Sequence, residues 1–174
     1  MNASDLSFLN VEISDTQSHL SIDREWLVSL VCRTLLLEGL CRASISVAVM
    51  NDASIRVINA RYLSHDWATD VISFRFSEDH DPELMGELVI SAEMAVNNAQ
   101  EIGSDPLQEV ALYLVHGLLH LCGYDDQTAE DVVVIREREA VVLASIGLEN
   151  SLRWVGSLPV RSDDSGRERV RWPR

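Results

Sequence analysis

Apolar residues alternate along several short stretches of the chain and recur every three or four positions along longer ones. Alternation is typical of half-buried strands, whereas recurrence at i, i+3, i+4 and i+7 is typical of amphipathic helices. The pattern predicts strands at 9–13, 44–50, 70–76 and 86–91, and helices at 22–38, 51–63, 92–103, 106–122 and 128–146. The polar stretch 77–85 contains a proline and is expected to be a loop.

The helix at 106–122 has the clearest boundaries. Asp105 is a suitable N-cap, and Gly123 stands just beyond the last turn, where glycine commonly ends a helix. The apolar positions 107, 110, 111, 114, 115, 118 and 121 form one stripe along this helix. His116 and His120 lie nearly opposite that stripe, on the same side as Glu109.

Length and composition indicate a globular protein. The 174 residues are expected to form a single domain over 1–150, followed by a flexible, arginine-rich tail over 151–174. No apolar run is long enough to span a membrane, and the N-terminus lacks the pattern of a secretory signal, so a cytoplasmic protein is expected. The three cysteines form no CxxC pair and are expected to be reduced thiols.

Charge is distributed unevenly along the chain. The net charge is −14, and all 14 cationic residues are arginines. Six arginines and three acids lie in the last 24 residues, so the tail carries about +3 and the rest of the chain about −17. This balance disfavours non-specific binding of nucleic acid across the whole surface.

The stretch "HGLLHLCGYDD" contains a candidate metal site. His116 and His120 are at i and i+4 on one helix face, and a turn at Gly123 would bring Asp126 close to them. Two histidines, a carboxylate and a water would complete a catalytic zinc site, and the skeleton has the spacing of the metzincin zinc motif. The alternative is a pair of histidines satisfied in a polar cleft. Gly117 stands where zinc peptidases carry their general-base glutamate, which argues against a standard peptidase.

The same stretch resembles the signature HGxLHLxGYDH of the YbeY endoribonucleases, which are rRNA maturation factors. "YLSHDWATDVISFRF" is similar to the family's YRGxDxPTDVLSFP, and "GELVIS" is similar to its GDIVIS. The resemblance covers roughly residues 45–147, in the same order and spacing.

This resemblance implies a fold and an activity. The fold would be α+β and zincin-like, with a small mixed sheet of about four strands packed with about five helices. The activity would be zinc-dependent, single-strand-specific endoribonuclease cleavage, with one Zn²⁺ per chain, in 16S rRNA 3′ end processing and ribosome quality control. Implied partners are ribosomal RNA and the small ribosomal subunit, with small-subunit ribosomal proteins or an assembly GTPase as further candidates.

Two positions depart from the family pattern. Asp126 stands where the family's third ligand is histidine, and its negative charge would make the metal a weaker Lewis acid. Leu63 stands where the family has a functional arginine, so Arg61 and Arg75 are candidates to contact RNA in its place. Arg61 is the stronger candidate, and we expect it to belong to the catalytic site.

Three acidic residues are assigned to the same site. Asp70 would orient substrate or accept a proton, or it is merely a cap at the start of a strand. Glu109 is a candidate partner that orients a ligand histidine, with a solvated helix charge as the alternative. Asp125, beside Asp126, is expected to support the ligands rather than to bind the metal. Two other functions stay open: a non-catalytic ribosome-assembly factor with a structural metal, and, less favoured, a metallopeptidase.

Overall fold

The computed structural model describes residues 8–148, and it describes the backbone alone of 160–162 and 168–170. The strands are β1 (Leu9–Asp15), β2 (Ala43–Met50), β3 (Val71–Arg75), β4 (Leu84–Ser91), β5 (Val160–Ser162) and β6 (Glu168–Val170). The helices are α1 (Arg24–Leu37), α2 (Asp52–Leu63), α3 (Ala92–Ile102), α4 (Pro106–Leu121) and α5 (Ala129–Ala144).

The first four strands form one mixed sheet in the order β1-β2-β4-β3. β1, β2 and β4 are parallel, and β3 pairs antiparallel to β4 at the edge. The four strands and five helices confirm the expected α+β class. The prediction of a loop over 77–85 was wrong at its end, because Leu84 and Met85 already pair with Ala43 and Ser44 of β2.

The two faces of the sheet are covered unequally. Side chains alternate between faces along a strand, and those of Ile45, Val47 and Val49 are buried in the main core with α1 and α4. On the other face α2 contributes Ile55 to a small cluster with Ile72 and Val89, and Phe74 packs at its margin. The two helices α2 and α4 therefore lie on opposite faces of the sheet.

Helix α4 is the central element of the fold. Pro106 occupies its first turn, and Asp105 caps it by accepting a hydrogen bond from the Leu107 N–H at 2.9 Å. Burial extends all round this helix, so the side opposite the apolar stripe is covered as well and includes the buried Glu109 and His116. The stripe therefore marks only one part of the buried surface of α4, which packs against both the sheet and neighbouring helices.

The predicted tail over 151–174 lies largely outside the described residues. Its predicted flexibility concerns residues outside that range. Within the tail β5 and β6 pair antiparallel, with Arg161 opposite Arg169. No helix in the described part of the chain combines the length and the apolar character that crossing a membrane requires.

Candidate metal centre

The two candidate histidine ligands lie one turn apart near the C-terminal end of α4. His116 is buried and His120 is partly exposed. Their Nε2 atoms are 3.0 Å apart, which is consistent with side chains at i and i+4 on one helix face. Both imidazoles therefore direct their Nε2 atoms to the same point beside the end of α4.

A tight turn after α4 directs the chain back toward these histidines. Gly123 has a φ of +101°, in the left-handed region that favours glycine. Asp125 Oδ1 accepts a hydrogen bond from the backbone N–H of Asp126 at 2.8 Å, which fixes the local backbone. Asp126 Oδ2 then lies 3.9 Å from His120 Nε2. Ligand atoms of His116, His120 and Asp126 all lie within 4.8 Å of one another, and this is the candidate metal-binding group that the described residues contain.

Glu139 determines which nitrogen of His116 faces this group. Its Oε1 atom lies 2.7 Å from His116 Nδ1, and its Oε2 atom accepts a hydrogen bond from Arg136 Nη1 at 2.6 Å. Because the carboxylate accepts hydrogen bonds from both partners, Nδ1 carries the proton of the imidazole. His116 Nε2 is consequently left with a lone pair.

The same reasoning applies to His120. Its Nδ1 atom lies 3.0 Å from the backbone carbonyl oxygen of Tyr124, and a carbonyl can only accept, so the proton is again on Nδ1. Burial, and then the neighbouring His116, lower the pKa of His120 and favour its neutral form. Two lone pairs therefore face each other across 3.0 Å beside a carboxylate.

This donor set fits a metal ion. Facing lone pairs repel unless a cation lies between them, and the nearby Asp126 carboxylate adds a negative charge to the same region. Tetrahedral zinc with Zn–N bonds of about 2.0–2.1 Å holds two ligand nitrogens roughly 3.3 Å apart. The observed separation of 3.0 Å is close to that requirement. The three predicted ligands are thus brought together in a geometry that suits a metal.

The turn itself is held from two other helices. Tyr124 Oη donates a hydrogen bond to Glu38 Oε2 at 2.9 Å, and Glu38 Oε1 in turn accepts one from Arg138 Nε at 2.5 Å. Arg138 also donates to the carbonyl of Leu37 at 2.5 Å, which joins α5 to the end of α1. These contacts fix Tyr124, whose carbonyl orients His120.

The role predicted for Glu109 stays a prediction, and the carboxylate that is hydrogen-bonded to His116 Nδ1 is that of Glu139. Glu139 holds the ligand histidine, whereas Glu109 Oε1 accepts a hydrogen bond from Ser104 Oγ at 3.2 Å. Burial raises the pKa of Glu109 above its usual value. The sequence carries a signal for Glu139, since this acid stands in the buried stripe of α5 with Ile135 and Val142, and buried charges are paired.

Asp70 lies just before β3 and is buried. Its Oδ1 atom accepts hydrogen bonds from the Val71 N–H at 2.8 Å and from Thr69 Oγ1 at 2.9 Å, which is the capping arrangement. Its buried Oδ2 atom has no hydrogen-bond partner among the described residues. The catalytic role assigned to Asp70 stays a prediction.

The arginines proposed for RNA binding lie on different faces of the sheet. Arg61 is near the end of α2, with its guanidinium 5.3 Å from the centre of the Tyr62 ring. Arg75 ends β3 and pairs with Asp79 at 2.8 Å. Arg61 is therefore on the side of the sheet away from α4, and its assignment to the catalytic site stays a prediction. Leu63 is exposed at the end of the same helix.

Gly117 has a structural reason to be glycine. A Cβ atom there would lie 2.8 Å from Leu88 Cδ2, 2.9 Å from Val71 Cγ2 and 3.0 Å from Ser73 Oγ. Such distances are well inside van der Waals contact. A glutamate at this position would not fit between α4 and the sheet, which supports the argument against a peptidase.

The fold and the site together define a class of protein. An α+β domain presents two histidines from one helix and a carboxylate from the turn that follows, and this is the arrangement of mononuclear metal-dependent hydrolases. Three protein ligands of this kind would leave a coordination position for water or substrate, as catalytic sites require.

Comparison with known proteins identifies the family. The family model described as "Endoribonuclease YbeY" matches residues 11–147. Proteins named endoribonuclease YbeY include one from Rhodopirellula baltica, 41% identical over 129 residues, which are 73% of this chain and 62% of that protein. Another, from Carboxydothermus hydrogenoformans, is 37% identical over 143 residues, which are 79% of this chain and 98% of the relative.

The fold also has a counterpart among solved structures. The solution structure of TM1509 from Thermotoga maritima matches 87% of this chain and 99% of its own, with a TM-score of 0.55 and 18% sequence identity. The chain belongs to the endoribonuclease YbeY family, and its enzyme class is that of a nuclease hydrolase.

Proposed function

We propose that this protein is a zinc-dependent, single-strand-specific endoribonuclease that matures ribosomal RNA, including the 3′ end of 16S rRNA, and acts in ribosome quality control. Family membership supports the endoribonuclease activity. One observation carries the metal dependence: two imidazole nitrogens, both left unprotonated by their partners, face each other across 3.0 Å beside Asp126.

The residues of the site have distinct roles in this proposal. His116, His120 and Asp126 would hold the zinc ion, which, when bound, supplies Lewis acidity and an activated water at neutral pH. Glu139 fixes the tautomer of His116, and the carbonyl of Tyr124 does the same for His120. These fixed orientations keep both Nε2 atoms available without a rearrangement on binding.

Asp70, Arg61 and Arg75 are assigned to substrate. Asp70 has one carboxylate oxygen without a partner among the described residues, and we assign it to accept a proton or to orient the substrate. The guanidinium of Arg61 makes no ion pair within residues 8–148 and is free to contact a phosphate. Arg75 would have to exchange Asp79 for RNA, so Arg61 is the stronger candidate.

We place the protein in the cytoplasm with ribosomal RNA and the small ribosomal subunit. The body of the chain, at about −17, complements basic ribosomal proteins. An assembly GTPase is a further candidate partner. Affinity purification of the tagged chain tests these partners. The RNA is identified without nuclease treatment, and the proteins that bind directly are those still retained after it.

The first experiment measures metal content by elemental mass spectrometry on protein purified without added metal. We expect about one zinc per chain in the wild type, loss of zinc in Asp126→Ala, and retention in Asp126→His. Glu130→Ala, an exposed acid at the start of α5, is the matched control and should keep its zinc. Absence of metal from the wild type would reject the zinc-dependent mechanism.

The second experiment tests cleavage of a single-stranded fragment from the 3′ end of 16S rRNA. The zinc-loaded wild type should cut it, a duplex of the same sequence should resist, and His116→Ala should be inactive. A zinc-loaded protein that cuts no RNA would instead favour a non-catalytic assembly factor with a structural metal.

A further inference from the structure

An exposed aromatic pair lies on the loop between α2 and β3. The rings of His65 and Trp67 stack with centroids 4.5 Å apart and an interplanar angle of 16°. Trp67 is 56% exposed, although one face of its indole is covered by the imidazole. The opposite face is therefore open to solvent, and a large aromatic side chain so exposed is a candidate contact surface.

The loop that carries this pair is firmly held. Asn59 is 2% exposed, and its Nδ2 atom donates a hydrogen bond to the carbonyl of Trp67 at 2.8 Å. Its own carbonyl accepts one from the His65 N–H at 3.3 Å. Arg56 forms two hydrogen bonds to Asp66, at 2.8 and 2.9 Å. The aromatic pair is thus ordered before any ligand binds, which lowers the entropic cost of binding.

The surroundings of the pair suit a nucleic acid base. Asp66 lies between His65 and Trp67 in the sequence, and Arg56 pairs with it. The negative charge of Asp66 therefore does not repel a phosphate at this site. Arg61 and the 60% exposed Tyr62 stand just before the loop, and they add a cation and a second aromatic ring. Planar rings with a nearby arginine are the features on which single-stranded nucleic acids stack.

The loop also continues into β3, the strand that packs against α4. Trp67 is four residues before Val71, so their Cα atoms are at most about 14 Å apart. Val71 packs against Gly117, the residue next to His116. The loop that carries Trp67 and the helix that carries the candidate ligands are therefore both adjacent to the edge strand β3.

We propose that the His65–Trp67 pair is a platform on which a base of single-stranded RNA stacks, with Arg61 contacting a neighbouring phosphate. This proposal rests on the proposed ribonuclease function and names how the substrate is held. Both aromatic residues lie at positions that the family motif YRGxDxPTDVLSFP leaves unspecified, so the platform belongs to this chain rather than to the motif. It explains how a protein of net charge −14 gains affinity for RNA with few phosphate contacts.

The test measures binding of a fluorescein-labelled, ten-nucleotide single-stranded RNA to the full-length protein by anisotropy, with intact RNA verified on a gel. Trp67→Ala should weaken binding about 5- to 100-fold, since stacking on one aromatic ring contributes that much. Trp67→Tyr should restore most of the affinity. Phe76→Ala is the matched control: Phe76 is an exposed aromatic at the other end of β3, and its removal should leave the Kd unchanged.

An abasic oligonucleotide of the same length separates stacking from phosphate contacts. It should bind the wild type as weakly as the RNA binds Trp67→Ala, and the Trp67→Ala substitution should not weaken it further. Equal RNA affinity of Trp67→Ala and wild type would overturn the platform and leave the pair as a surface for a protein. Equal losses in Trp67→Ala and Phe76→Ala would also overturn it.

Cleavage of the same RNA by the wild type decides the proposed function separately. Cleavage combined with unchanged binding by Trp67→Ala rejects the platform alone. Binding that depends on Trp67 without any cleavage supports the platform and rejects the ribonuclease activity.

Discussion

Nε2 of His116 faces His120 and Asp126 because Glu139 accepts a hydrogen bond from Nδ1 on the opposite side of the ring. This hydrogen bond lies in the interior, where Arg136 donates a second hydrogen bond to the same carboxylate. Partners of this kind orient metal ligands and raise their basicity, and losing one typically costs 10- to 100-fold in metal affinity.

Replacement of Glu139 by glutamine should therefore weaken zinc binding by about 10- to 100-fold. The amide is neutral and can also present its NH₂ group to the ring, so the tautomer is no longer fixed. Competition with a chromophoric chelator measures the affinity. Glu137→Gln, on the exposed side of the same helix, should bind zinc like the wild type. Unchanged affinity in Glu139→Gln would refute the role assigned to this carboxylate.

Glu109 should make stability depend on pH. Burial raises its folded-state pKa above the unfolded value of about 4.3. Stability is consequently lost as pH rises from about 4.3 through the folded pKa. Glu109→Gln keeps an acceptor for Ser104 without the charge, so its Tm should exceed that of the wild type at pH 7 and the difference should vanish near pH 4.

Thermal unfolding followed by circular dichroism between pH 4 and pH 8 provides the measurement. Glu101→Gln, exposed near the end of α3, is the control and should show no pH-dependent gain. A stabilisation of Glu109→Gln that is equal at pH 4 and pH 7 would contradict the assigned burial effect.

At the scale of elements, the position of α4 depends on glycines at its contact with the sheet. A Cβ on Gly117 would overlap Leu88 and Val71, and one on Gly86 would lie 2.7 Å from Leu121 Cδ1. The helix can therefore approach the strands closely. Ser73 Oγ donates a hydrogen bond to the Gly117 carbonyl at 3.1 Å and ties β3 to the helix at the same point. This contact sets the distance between the candidate ligands and the sheet edge.

Gly117→Ala should lower the free energy of unfolding by about 1–3 kcal/mol through overpacking. Without the close contact the same change in a helix would stabilise the protein by roughly 1 kcal/mol, since alanine has the higher helix propensity. Urea unfolding distinguishes the two signs. Adding Val71→Ala removes one of the overlapping side chains, so Gly117→Ala should cost less in that background. A stabilised Gly117→Ala single variant would show that the helix moves away at no cost.

At the scale of the whole molecule, the candidate metal ligands are not part of the main hydrophobic core. One cluster of buried apolar side chains joins β1, β2, β4 and the helices α1, α3, α4 and α5. The two histidines lie at its margin, near the C-terminal end of α4. A metal would add stability by binding the folded state, about 2.7 kcal/mol at 100 times its Kd.

Metal removal should therefore leave the protein folded. We expect chelator-treated protein to keep its far-ultraviolet circular dichroism and to unfold cooperatively, at a lower Tm than the zinc-loaded form. Asp126→Ala should show almost no change of Tm with zinc. Unfolding of the wild type on chelation would contradict this expectation and support a structural metal.

The sequence by itself determined the elements within residues 8–148 and the candidate ligand group. The periodicities located all four strands and five helices of the main domain, since they depend on local geometry and on which face is buried. Two histidines at i and i+4 and a glycine turn also act locally, and so His116, His120 and Asp126 were recognisable from spacing alone.

The tertiary structure decided which distant residues complete the site. Glu139 is 23 residues from His116 along the chain, and Glu38 is 86 from Tyr124; no local spacing links them. Glu109 shares a helix face with the histidines, yet packing directs it to Ser104. The stacking of His65 on Trp67 and the separation of Arg61 from α4 likewise depend on how α2 docks on the sheet. Such contacts form where helices, strands and loops pack against one another. The pattern of residues along a single helix or strand does not specify which other element it packs against.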